Sequence, residues 1–172
     1  TERLLTGSYD MQEIKAHAVE APLEFQMAAK LVESKLAMQT IDRPLRVAVV
    51  FAMWGEHARL LPKDAGNPAG ENALVTKLEQ LDWITKDTSV DWQLYAVDDG
   101  DPEDSGKLAA KIGGNHPLKD HLTVAWLRDA VAETSGPLAA LNHVDDSRKG
   151  GAIIMGAAQA IADGCDVVVY TD

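Results

Sequence analysis

Four short apolar runs, separated by stretches with helical spacing, constrain this chain more than any other feature. Leu45–Met53 is a continuous, Val-rich run of the kind buried on both faces of a sheet, and residues 90–97, 122–126 and 166–170 repeat the signal. Between the first two runs, residues 71–85 carry Leu74, Leu78, Leu81 and Trp83 at helical intervals, whereas 61–70 holds two Pro and two Gly and reads as a loop. Residues 105–112 read as a short helix closed by Gly113-Gly114, and 150–162 as a small-residue helix closed by Gly164. The stretch 130–142 stays ambiguous because Gly136-Pro137 interrupts it. Strands alternating with helices in this way predict an α/β fold: a mostly parallel sheet with flanking helices, joined by right-handed crossovers.

Upstream, residues 1–21 are polar and weakly patterned. Pro22 then opens a helix in which Phe25, Ala28, Ala29, Leu31, Val32, Leu36 and Ala37 recur at helical spacing. The reading is an N-terminal helical extension over 1–43 and an α/β domain over 44–172. A chain of 172 residues, 46% hydrophobic and 25% charged, has enough apolar material for one core and little for a second.

Charge narrows the classes of partner. The formal net charge is -11 and no basic tract appears, which argues against sequence-independent binding of nucleic acid. No run approaches the ~18 apolar residues a membrane span requires. Cys165 is alone, so it forms no internal disulfide and suits a reducing, cytoplasmic setting. A buried thiol is its ordinary role. The histidines (His17, His57, His116, His121 and His143) show no zinc-type spacing, and no Gly-x-Gly-x-x-Gly or Walker-type loop follows the first strand.

Two acidic turns stand after apolar strands: Val97-Asp98-Asp99-Gly100-Asp101-Pro102 after the second, and Tyr170-Thr171-Asp172 after the fourth. Parallel strands deliver their carboxyl ends to one rim, so such carboxylates can converge on one ligand. Phe51-Ala52-Met53-Trp54-Gly55-Glu56 follows the first strand, and Arg148-Lys149-Gly150-Gly151-Ala152 opens the helix before the fourth. With these four elements in this order, residues 45–172 resemble the nucleotide-binding half of a family 2 glycosyltransferase with the GT-A, Rossmann-like fold.

The resemblance implies a transferase that moves a sugar from a UDP- or GDP-activated donor to an acceptor, with help from Mg²⁺ or Mn²⁺. It implies that Ala52, Trp54, Glu56, Asp98 and Asp99 hold the nucleoside, that Arg148 and Lys149 face the donor diphosphate, and that Asp172 is the first metal ligand. The chemistry suits those residue types. Carboxylates accept hydrogen bonds from base N–H and ribose hydroxyls, cations beside a helix start favour phosphate, and hard cations prefer oxygen. The sequence also departs from the family pattern. Gly55 stands where Asn is common, Ile154 replaces another frequent Asn, and only the first Asp of the metal motif is present. The acceptor half and the catalytic base are expected beyond residue 172, so no catalytic residue is assigned.

Plainer readings stand beside each element. Asp-Asp-Gly-Asp-Pro is also ordinary turn chemistry. Asp145 and Asp146 could pair with Arg148 and Lys149 on a solvated surface, and Gly150 and Gly151 could serve only close packing. Trp54 could be core, and Asp172 could have no role. A non-catalytic nucleotide-binding or assembly module is the rival to an enzyme, with the helix from Pro22 docking a partner or a second copy in a homo-oligomer. A receiver-type phosphoacceptor domain is disfavoured, because its paired Asp would follow the first strand.

Overall fold

The computed structural model describes residues 1–7, 10–131 and 135–171. The chain divides into two compact units: residues 1–44 together with 84–90, and residues 45–83 together with 91–172.

In the first unit, helices α1 (Glu2–Thr6), α2 (Met11–Ala18) and α3 (Leu23–Gln39) occupy the segment expected to be helical only from Pro22. Asp10 starts α2 by accepting from the Gln12 N–H at 3.0 Å, a capping signal hidden in a polar stretch. Ile14, Ala29 and Val32 are buried. So is Lys35, whose ammonium donates to the carbonyls of Ile84 and Lys86 and ties α3 to the 84–90 segment.

The second unit is a four-stranded parallel sheet in the order β3-β2-β1-β4, a Rossmann-like α/β arrangement. Its strands are β1 (Leu45–Met53), β2 (Val90–Asp98, entering from Val90 of the first unit), β3 (Leu122–Trp126) and β4 (Val167–Thr171). The helices are α4 (His57–Leu60), α5 (Ala73–Thr85), α6 (Ser105–Gly114), α7 (Leu127–Val131) and α8 (Arg148–Ala162). The register pairs Val47 with Val167 and Leu94 with Leu122.

The pleat of β1 sorts its side chains onto two cores. Phe51 and Met53 pack with Leu74 and Leu78 of α5, Ala109 of α6 and Trp92, Leu94 and Ala96 of β2. Ala48, Val50 and Ala52 face the other way, with Tyr95 and Val97, onto Ala152 and Ala160 of α8. This division follows from handed connections: β1 to β2 to β3 progresses one way across the sheet, then the chain returns past β1 to β4, so α8 lies on the opposite face from α5 and α6.

Two boundaries differ from the sequence reading. Helix α6 runs through Gly113 and Gly114 instead of stopping at them. A Cβ at Gly113 would lie 2.1 Å from Leu122 Cδ2, so this glycine serves the approach of α6 to β3. Helix α8 begins at Arg148, two residues before its glycines, because Ser147 caps it by accepting from the Gly151 N–H at 2.9 Å. Part of the ambiguous 130–142 stretch, residues 132–134, lies outside the described residues; α7 covers its start.

Candidate functional site

The acidic turn after β2 is built by its own side chains. Gly100 has φ +82°, and a Cβ there would meet Val144 Cγ1 at 2.1 Å, so glycine is required both for conformation and for space. Asp98, 3% exposed, directs its carboxylate inward: Oδ1 accepts from the N–H groups of Gly100 and Asp101, each at 3.0 Å, and Oδ2 from Gly106 N–H at 2.7 Å. Helix α6 has no side-chain cap from its own N-cap residue, Asp104, so Asp98 supplies that function from the strand end.

Asp99, 6% exposed, goes the other way. Its N–H donates to the Met53 carbonyl at 2.9 Å, joining the ends of β2 and β1, and its Oδ1 accepts from the Ser147 hydroxyl at 2.9 Å. Burial pushes its carboxyl above the ordinary Asp range, with a further push from Asp98, against the hydrogen bonds from Ser147 and from the Ala152 N–H. The adjacent aspartates thus hold the amino ends of two helices on opposite faces of the sheet, α6 through Asp98 and α8 through Asp99. The turn-chemistry reading describes Asp98, whose carboxylate accepts from the turn's own N–H groups, whereas the Asp99 carboxylate bonds outside the turn and borders open space.

That space is a cavity of 480 Å³ at the carboxyl edge of the sheet, lined by Ala52, Met53, Trp54, Glu56, Asp99, Val144, Asp145 and Lys149. Five of the nominated nucleotide-binding residues (Ala52, Trp54, Glu56, Asp99 and Lys149) meet there from three separate segments. Asp98 sits beneath the turn rather than on the lining, and Arg148 opens α8 beside Lys149. Asp172 lies outside the described residues.

Trp54 is 65% exposed, so it is a surface ring at the cavity rather than a core residue. Gly55 behind it adopts φ +69° and lets the chain turn into α4. Glu56 is held by Arg59, whose Nη1 donates to both carboxylate oxygens at 3.0 and 2.8 Å while Nη2 reaches Glu71 at 3.0 Å. Burial raises the Glu56 carboxyl above its ordinary range despite the opposing pull of Arg59. Asp145 and Asp146 engage His143: the imidazole lies 3.1 Å from Asp145, and Asp146 accepts from the His143 N–H at 3.0 Å.

Met53, Val144 and Asp145 join the lining, and Ser147 joins Asp99 behind it, beyond the site residues that the sequence suggests. Ser147 carried a readable signal, a serine four residues before a glycine at the start of a helical pattern. Val144 and Asp145 carried none, because a short 3-10 turn at 144–146 brings them to the cavity.

The lining is three carboxylates, one ammonium, one exposed indole and an apolar floor. It can accept hydrogen bonds from ligand N–H and O–H groups, stack a planar ring and meet one anionic group. Among the described residues no group of three or more His, Cys, Asp or Glu side chains could hold a metal ion. Also among the described residues, no helix is long and apolar enough to cross a membrane. Comparison with protein-family models, curated proteins and solved structures found no match in any of the three.

Proposed function

We propose that this chain is the donor-nucleotide-binding portion of a glycosyltransferase that takes a UDP- or GDP-sugar. The convergence of Ala52, Trp54, Glu56, Asp99 and Lys149 on one cavity at the carboxyl edge of a parallel sheet carries the reading. The Trp54 ring stacks on the base, Asp99 accepts from the base or ribose, and Lys149 meets the diphosphate. Transfer to the acceptor, and any Mg²⁺ or Mn²⁺ held from Asp172, belong to the same proposal, and a cytoplasmic location goes with it. A non-catalytic assembly module is the second reading. It is favoured by Leu23, Met27 and Leu31, which form an exposed apolar row on α3 at 67, 58 and 43% exposure.

Calorimetric titration with UDP and with GDP, each with and without Mn²⁺, tests the proposal. The expected result is binding that prefers one nucleotide and weakens about ten-fold in Lys149→Ala, the scale of one charge-assisted hydrogen bond. Lys149 is exposed, so that variant leaves the core intact. Asp99→Asn, which keeps the shape of the side chain but loses its charge, is expected to weaken binding as well. Absence of binding by a chain shown to be folded would remove the reading and leave the assembly module.

A further inference from the structure

The segment leading into α8 is fastened to the acidic turn at two points. Val144 packs over Gly100 so closely that no Cβ fits between them, and the Ser147 hydroxyl lies between Asp99 and the first turn of α8. That hydroxyl donates to Asp99 Oδ1 at 2.9 Å and accepts from the Gly151 N–H at 2.9 Å. The place it occupies depends on Gly151, since a Cβ there would stand 2.1 Å from Ser147 Oγ and 2.6 Å from Ser147 Cβ. Lys149 lies between these two residues in sequence and lines the same cavity as Asp99. The acceptor and the cation of the cavity are therefore joined through one serine.

We infer that Ser147 is a positioning residue for ligand binding in this cavity: its hydroxyl orients the Asp99 carboxylate and fixes the first turn of α8, which carries Lys149. The inference rests on the nucleotide reading for its ligand, whereas its effect on Asp99 can be observed without one. Besides Ser147, Asp99 has around it Asp98 on its own strand end, Glu56 from the loop after β1, Asp145 from the 3-10 turn, and Lys149 and the Ala152 N–H from α8. The hydrogen bonds from Ser147 and from the Ala152 N–H both favour its charged form, and only the one from Ser147 comes from a side chain. Its removal raises the Asp99 titration, so a ligand that needs the ionised carboxylate begins to lose affinity at a higher pH.

The experiment compares the full chain with Ser147→Ala, Ser147→Thr and Gly151→Ala. Asp99 is followed by carboxyl NMR across pH 3 to 8, and UDP and GDP affinity is measured over the same range. Ser147→Ala is expected to move the Asp99 titration upward and weaken nucleotide binding about ten-fold at neutral pH, with the acid limb of binding moving upward too. Ser147→Thr, which keeps the hydroxyl, restores both. Gly151→Ala reproduces the alanine phenotype by displacing Ser147. An unmoved Asp99 titration in folded Ser147→Ala overturns the inference, and so does an affinity loss of equal size at every pH that threonine fails to rescue. If the unsubstituted chain binds neither nucleotide, the functional reading fails, and the Asp99 titration still decides whether Ser147 positions it.

Discussion

At the scale of single residues, the acidic turn shows how one motif can hold several unlike carboxylates. Burial alone would raise the Asp101 carboxyl, but the hydroxyl of Ser105 and the N–H groups of Glu103, Gly55 and Ser105 outweigh it and hold the group below the ordinary Asp range. A carboxylate depressed in the folded state stabilises the fold fully above its unfolded value, about 3.9, and loses that contribution as pH falls through the folded value. Asp101→Asn is therefore expected to be less stable than the unsubstituted chain by about 2 kcal/mol near pH 7, with the gap closing toward pH 3. Urea unfolding at a series of pH values measures this, and a gap that stays constant with pH would exclude it. The sequence made the turn legible, since Asp-Asp-Gly-Asp-Pro admits few other conformations. It left open which aspartate faces the cavity, because that depends on the pleat of β2 and on Ser147, 48 residues downstream of Asp99.

At the scale of elements, the strands were easier to read than the helix ends. Leu45–Met53 and Leu122–Trp126 form strands over the residues expected, because short runs of β-branched and apolar residues fit a sheet, although β1 is buried over most of its length and β3, at the sheet edge, is half-buried throughout. One glycine pair misled a helix end: Gly113-Gly114 reads as a terminator, yet both lie inside α6, and Gly113, like Gly151 and Gly156 of α8, sits where another group comes too close for a Cβ. Gly156 shows the energetic consequence. Its absent Cβ would lie 2.6 Å from Val50 Cγ1, in the seam where α8 meets the small residues of β1. Alanine is the better helix former by about 1 kcal/mol, but overpacking a tight seam costs about 1–3 kcal/mol. Gly156→Ala is expected to lower the thermal midpoint, and adding Val50→Ala to that variant to recover part of the loss. A single variant at least as stable as the unsubstituted chain would show that the seam yields more easily than these distances indicate.

At the scale of the whole molecule, the interior strands of the sheet and its β4 edge differ in how well they are covered. The interior strands β1 and β2 are buried along most of their length, whereas Val167, Val168, Val169 and Tyr170 of β4 are 36 to 61% exposed. Among the described residues β4 pairs only with β1 and lies at the end of the strand order. An uncharged Val-Val-Val-Tyr edge offers unpaired backbone groups and apolar side chains together, the combination that promotes strand-to-strand association. A formal net charge of -11 opposes the approach of two copies, and salt screens that repulsion because the Debye length falls from about 30 Å at 0.01 M to about 3 Å at 1 M. Raising the salt concentration should therefore increase association of this chain, in contrast to an assembly held by opposite charges. Tyr170→Lys places a charge on the edge and is expected to suppress that association while leaving the thermal midpoint within about 2 °C, since the side chain it replaces is mostly in water. Light scattering across a salt series reads both effects. Association that grows equally in the lysine variant would place the contact elsewhere, and association that falls with salt would mean that charge, rather than the β4 edge, governs how copies meet.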